Sequence, residues 1–255
     1  MILDKAPLGK TVGYLKTYSP EILYPVPRSL QRDNLKCRDF KGYDLWRGWE
    51  LSWLNPKGKP VVASAEFHFP CNTPNLVESK SFKLYLNSFN QTSFASFDAV
   101  RAAMEKDLSE CAGGPVGIKL FSLEEPQPSL PFKLIGDCLD SLDIETDIYE
   151  VDPKLLKTSP QIVEETLYSR LLKSNCLATG QPDWGIFYIH YKGPKIDRAS
   201  LLKYIISFRD HSGFAEHCVE RMLSDITVEC APEKLCVATA YTRRGGLDIN
   251  PVRIC

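Results

Sequence analysis

With 255 residues, the chain is long enough for one large or two small domains with a genuine core. A hydrophobic fraction of 44%, a charged fraction of 25% and a formal net charge of −1 are those of an ordinary globular protein, with no global electrostatic reason to bind nucleic acid. No apolar run approaches the roughly 18 residues of a membrane span, and no basic-then-apolar leader opens the sequence, so the expectation is a cytoplasmic protein with no membrane partner.

In chain order, residues 61–69 read as a strand. Phe82, Tyr85, Leu86 and Phe89 then have the i, i+3, i+4, i+7 spacing of an amphipathic helix. Val100, Met104, Leu108 and Cys111 predict a second helix, and residues 116–121 a further strand. Residues 124–129 are acidic and proline-rich and read as a connector. Beyond it, residues 142–151 are expected to add a strand, and residues 163–172 to form a helix leading into a cysteine-bearing loop. The order then repeats: a strand at 186–191, a helix through Leu201, Ile205 and Phe208, a helix through Val219, Met222, Leu223 and Ile226, and a strand at 235–241.

Residues 81–121 align with 200–240 at a constant offset of 119, matching Tyr85 with Tyr204, Ser88 with Ser207, Phe89 with Phe208, Val100 with Val219 and Cys111 with Cys230. Each copy is strands, two helices, strands, which is an α+β module with paired helices on one face of a mainly antiparallel sheet. The expected division is an N-terminal module over 1–125, a connector over 126–160 and a C-terminal module over 161–255.

Nine cysteines, an odd number without a C-x2-C pair, and four scattered histidines do not have the spacing of a standard zinc site, and no metal is expected. Most of the thiols read as reduced, buried small hydrophobes. Cys176 differs by its company, in Ser174-Asn175-Cys176 with Asp183 seven positions on. A thiol of ordinary pKa about 8.5 needs a neighbouring base or positive potential to attack at neutral pH, and a carboxyl held in an apolar turn can act as an acid there. Taken singly, Cys176 also reads as a buried thiol and Asp183 as an exposed turn residue. Phe214-Ala215-Glu216 puts a carboxylate at a helix entrance, where the helix dipole alone favours it. Ser79, Lys80 and Ser81 bring hydroxyls and a cation to another helix start, an arrangement suited to phosphate. Residues 241–246, with Arg243, Arg244, Gly245 and Gly246, offer a second phosphate clamp or a plain hairpin turn. Neither a Rossmann nor a Walker fingerprint is present.

Four ordered segments, ESKSFKLYLNSFNQT (78–92), LLKSNCLATGQPDWG (171–185), ISFRDHSGFAEHCVER (206–221) and YTRRGGLDINP (241–251), resemble the NADPH-dependent 7-cyano-7-deazaguanine reductases in their longer, duplicated form. The resemblance implies tandem tunnelling-fold modules related to GTP cyclohydrolase I. It also implies NADPH as cofactor, a homodimer, and reduction of a nitrile to a primary amine in queuosine biosynthesis with two NADPH per substrate. By the same resemblance, Cys176 forms a covalent thioimide with the nitrile and Asp183 donates a proton. Val77, Glu78, Ser79, Phe214, Ala215 and Glu216 bind the deazapurine, and Ser79, Lys80, Arg244 and Gly245 bind NADPH. Ala215 stands where that family usually has histidine, which keeps open the alternative of a deazapurine binder impaired in catalysis.

Overall fold

The computed structural model describes Gly13 and residues 15–129, 132–177 and 179–255. The elements run β1 (Pro25–Pro27), α1 (Ser29–Arg32), β2 (Lys41–Leu54), β3 (Pro60–Pro70), β4 (Asn75–Val77), α2 (Ser79–Ser88), α3 (Phe97–Ala112), β5 (Gly117–Ser122) and β6 (Asp137–Cys138). They continue β7 (Thr158–Asn175), β8 (Pro182–Ile196), α4 (Arg198–Ile206), α5 (Ala215–Cys230), β9 (Lys234–Tyr241) and β10 (Leu247–Ile254). The chain condenses into two units that are discontinuous in sequence. Unit 1 comprises the described residues of 1–30, 44–129 and 243–248, and unit 2 those of 31–43, 130–242 and 249–255.

In unit 1 the strands lie in the order β5-β3-β2, with β3 and β5 antiparallel, and β1 pairs with β4 in a separate antiparallel ribbon. The apolar stripe of α2 covers the sheet: Phe82 is fully buried, its ring 4.9 Å from that of Phe67 and 5.5 Å from that of Trp46. Helix α2 begins at Glu78, whose carboxylate accepts from the backbone N–H groups of Lys80 and Ser81, both at 2.8 Å. Helix α3 begins at Ser96, whose hydroxyl accepts from the Ala99 N–H at 3.1 Å, and ends at Gly113 in the left-handed region.

In unit 2 the order is β10-β9-β8-β7-β6, antiparallel except for the short parallel β6–β7 contact. Alternate residues of β8, among them Phe187, Ile189 and Tyr191, point into a core with Leu201, Tyr204 and Phe208 of the first helix segment and Cys218, Met222 and Ile226 of α5. Helix α4 is capped by Asp197, which accepts from the Ser200 N–H at 2.8 Å. A single close approach explains one glycine: Gly42 has φ 133°, and a Cβ there would lie 2.1 Å from the Val252 carbonyl oxygen.

The α+β architecture with paired helices on one sheet face is therefore observed in each unit. Three local expectations are corrected. Residues 163–172, expected as a helix, lie inside the 18-residue strand β7. A bulge between Ser169 and Leu172 breaks its two-residue period, so buried Ser169 and Leu172 fall three apart, as residues on one helix face do. Residues 142–151, expected as a strand, form no regular element. The repeat offset is not constant either. It is 119 in the first helices, where Ser81 and Ser200 each donate to the carbonyl of their capping residue, but 118 from Phe97 to Ala215 at the start of the second helices. At 118 the buried Val100, Met104 and Leu108 match Cys218, Met222 and Ile226, so Val100 does not pair with Val219, nor Cys111 with Cys230. Among the described residues, no helix is long and apolar enough to cross a membrane.

Candidate active site

The loop joining β7 to β8 carries Cys176. Ser174 pairs with Asp183 and Asn175 with Pro182, and the Cys176 N–H continues the ladder to the Gln181 carbonyl at 2.8 Å. Because side chains alternate along a strand, Cys176 and Asp183 are diagonal neighbours on one face of this hairpin. It is the face that carries Ser174 and Phe187, the face covered by the helices. The bulge that sets this register is held by Asp140, which accepts from the Ser169 hydroxyl at 2.7 Å and the Arg170 N–H at 3.1 Å.

The start of α5 is tied to the same loop. The Asn175 N–H donates to the His211 carbonyl at 2.8 Å, and the Gly213 N–H donates to the Asn175 carbonyl at 3.1 Å. Phe214 is the N-cap residue and contributes no side-chain capping bond; Ala215 opens the helix, and Glu216, only 2% exposed, sits in its first turn. The fold thus brings together five of the predicted residues, Cys176, Asp183, Phe214, Ala215 and Glu216, with the N-terminal end of α5 next to the cysteine loop.

Burial keeps four other thiols of unit 2, Cys218, Cys230, Cys236 and Cys255, in the protonated form. Burial above all, with the Glu216 and Asp183 carboxylates adding, pushes the Cys218 thiol up to about 12, which also places both carboxylates within electrostatic reach of that sulfur. Burial similarly pushes Cys230 up to about 12 and raises Cys236 and Cys255. Cys176 is half-buried, on a loop rather than in the helix-packed core.

Unit 1 gathers the other predicted residues. Val77 ends β4, Glu78 is the fully buried cap of α2, and Ser79 and Lys80 form the first helical positions. Burial raises the Glu78 carboxyl, opposed by its bonds to the Lys80 and Ser81 N–H groups and by the Lys83 charge. The turn with Arg244 and Gly245 meets the same helix: a Cβ on Gly245 would lie 3.2–3.6 Å from the Lys83 side chain. Gly245 and Gly246 have successive positive φ values of 59° and 79°, which L side chains rarely adopt.

Comparison with known proteins identifies the family. The family described as "Nitrile reductase, 7-cyano-7-deazaguanine-reductase N-term" matches residues 14–120, and the one described as "QueF-like protein" matches residues 182–254. The NADPH-dependent 7-cyano-7-deazaguanine reductase of Azoarcus sp. (strain BH72) is 55% identical over 98% of this chain and 90% of its own length. That of Dechloromonas aromatica (strain RCB) is 57% identical over 97% and 89%. The chain belongs to the NADPH-dependent 7-cyano-7-deazaguanine reductase family. A solved structure, the archaeosine synthase QueF-Like in the apo form, aligns over 38% of this chain and 94% of its own with 16% identity and a TM-score of 0.33.

The cofactor in the relatives' name is compatible with what unit 1 offers. Lys80, Lys83 and Arg244 supply cations, Ser79 a hydroxyl, and Gly245 a side-chain-free approach that a Cβ would fill, a donor set suited to phosphate groups. Sequence reasoning passed over two groups that hold these sites in place. Asp140, at the bulge, lies in a segment read as connector. Glu220, fully buried one turn after Glu216, accepts from Arg32 Nε at 2.9 Å and from Arg253 Nη2 at 2.7 Å. Glu220 lies outside the set Val219, Met222, Leu223 and Ile226 from which the helix was read. The same face of α5 lines a cleft of ≈ 520 Å³ with His211, His217 and Arg221, and none of the predicted site residues lines it.

Proposed function

We propose that Cys176 is the nucleophile and Asp183 the proton donor of this chain's reaction, the NADPH-dependent reduction of the nitrile of 7-cyano-7-deazaguanine to 7-aminomethyl-7-deazaguanine in queuosine biosynthesis. The observation that carries this reading is the β7–β8 hairpin, which holds Cys176 and Asp183 as diagonal neighbours on one face beside the first turn of α5. The Cys176 sulfur adds to the nitrile carbon, forming a C–S bond as one C–N π bond breaks, and Asp183 protonates the nitrogen and is reprotonated by the proton the thiol gives up, giving a covalent thioimide. Two successive NADPH, held by Ser79, Lys80, Arg244 and Gly245, would each supply one hydride, and with two protons these would convert the thioimide to the primary amine and free the thiol. Phe214, Ala215 and Glu216 contact the deazapurine, as do Val77, Glu78 and Ser79, the carboxylates accepting its ring N–H groups. Glu78 already accepts two backbone N–H bonds, one on each oxygen, which fixes its orientation and leaves a second lone pair on each for the substrate. Ser79, Lys80, Arg244 and Gly245 bind the cofactor. The protein acts as a cytoplasmic homodimer without direct contact to nucleic acid.

The test is intact-protein mass after mixing with 7-cyano-7-deazaguanine alone, followed by NADPH oxidation when both are present. A covalent adduct of one substrate per chain, absent in Cys176→Ala, together with steady NADPH oxidation, is the expected result. An adduct without oxidation would instead identify the impaired binder that Ala215 leaves open, and neither signal from folded protein would overturn the reading.

A further inference from the structure

Beside the Gly245–Gly246 turn, unit 1 holds an indole and two guanidinium groups that the scheme above does not use. The Trp49 Nε1–H donates to Asp248 Oδ2 and the Arg47 Nε–H donates to Asp248 Oδ1, both at 2.7 Å, so one buried carboxylate orients both side chains. The Trp49 backbone N–H donates to the Gly246 carbonyl at 2.9 Å, which fixes the ring to that turn. The guanidinium carbon of Arg47 lies 5.5 Å from the Trp49 ring centroid, and that of Arg243 lies 5.9 Å from it. The two cations differ in setting. Arg47 is buried and also donates to the Ser129 carbonyl, whereas Arg243 is exposed on the turn. Trp49 itself is half-buried, so its ring is held rigidly with part of its surface accessible.

A rigid, partly open indole beside an exposed guanidinium is the chemistry that takes up a purine. The base stacks on the ring, the cation closes over it, and the planar N–H fork is left to grip a phosphate in bidentate fashion. We propose that Trp49 and Arg243 form the subsite for the adenosine end of the dinucleotide, with adenine on the Trp49 ring and the 2′-phosphate on Arg243. The inference rests on the reading of unit 1 as the cofactor-binding unit, and it assigns the preference for NADPH over NADH to Arg243. Asp248 is a positioning residue, acting only through Trp49 and Arg47. Glu50, whose carboxylate stands 2.9 Å from where a Cβ on Gly246 would lie, is the acidic neighbour and suits a ribose hydroxyl rather than a phosphate.

Calorimetric titration of the full chain with NADPH and with NADH tests this without relying on turnover. Arg243→Ala, at an exposed turn position, is expected to weaken NADPH by about tenfold to a hundredfold while changing NADH by less than about twofold. Trp49→Ala is expected to weaken both dinucleotides by about tenfold, with Trp49→Phe recovering most of the loss and guarding against misfolding. Equal weakening of NADPH and NADH by Arg243→Ala, or no weakening by either variant, would overturn the subsite. Wild-type protein that forms the thioimide but binds no NADPH would remove the cofactor reading itself, a result distinct from a failed subsite.

Discussion

Helices α3 and α5 are the same element of the repeat, 118 residues apart, and their surroundings are opposite. At the start of α3, Ser96 caps the helix, and Asp98 is an exposed acid paired with exposed Arg101 at 2.9 Å. The matching positions of α5 are Phe214, which gives no capping bond, and Glu216, which is buried. One turn later the exposed Ala102 of α3 corresponds to Glu220 of α5, enclosed by Arg32 and Arg253. The apolar stripe is shared because each helix must cover a sheet. The polar faces diverge because unit 2 packs residues 31–43 and its C-terminal strand against α5. A repeat thus supplies the scaffold twice, and one copy becomes a candidate reactive site by giving up local helix stability and burying charge.

The comparison breaks most visibly at the thiols. Cys176→Ala is expected to lower NADPH turnover by roughly 10³-fold or more, whereas Cys111→Ala, on α3, should leave it within about twofold. Cys111 is pushed up to about 12 by burial, with the Glu110 charge adding, and is not a thiolate at neutral pH. A comparable loss in both variants would mean that unit 2 is not the seat of the chemistry. Next in size is the ion cluster. Glu220→Ala leaves Arg253, itself fully buried, without its carboxylate and should cost about 3–5 kcal/mol in urea unfolding. Placing the acid at the corresponding surface position, Ala102→Glu, should change stability by no more than about 0.5 kcal/mol.

Acid titration sharpens the same contrast, because Glu78 of unit 1 and Glu220 of unit 2 are shifted in opposite directions. Burial pushes the Glu220 carboxyl up, but hydrogen bonds and charge from Arg32 and Arg253 outweigh it and leave the net value below the ordinary 4.5. A depressed acid contributes stability that is present above 4.5 and lost as pH falls through its folded value. For Glu78, burial dominates and the net value lies above 4.5. Its ionisation therefore opposes folding above the folded value, and that penalty is relieved as pH falls to 4.5. In denaturation midpoints measured against pH, Glu220→Gln should flatten the acid loss, and Glu78→Gln should steepen it. A change of the same sign in both would contradict the assignment. The smallest effect concerns the caps. Ser96→Ala should cost about 1 kcal/mol, and Phe214→Ser should gain about as much stability while slowing turnover. A Phe214→Ser protein that is both more stable and fully active would show that the open cap of α5 has no functional value.

Much of the scaffold is legible in the residues. The first helix of each copy follows from Phe82, Tyr85 and Phe89 and from Leu201, Ile205 and Phe208, since an apolar stripe at helical spacing has one economical place to go. Strand β2 went unread because buried Asp44 and Arg47 interrupt its apolar pattern, and their partners are distant in sequence, Arg28 at 2.7 Å for Asp44, and Asp248 at 2.7 Å and the Ser129 carbonyl for Arg47. Strand β10 is hidden in the same way by Asp248, Asn250 and Arg253, and by a proline within it. In the candidate site, Cys176, Asp183, Glu216, Glu78 and the Arg244–Gly245 turn were visible as motifs. Asp140 and Glu220 were not, because each matters only through a partner about thirty or more residues away.

The sequence by itself determined the two α+β copies, the helix stripes, the family and the residue types available for chemistry, all of which depend on local spacing or on ordered motifs. Only the tertiary structure decided that residues 163–172 are strand, that the second helices are offset by 118 and that one face of a hairpin carries both Cys176 and Asp183. The physical reason is that bulges and buried charges are stable only when a remote partner satisfies their hydrogen bonds, and a linear pattern does not record which partner arrives.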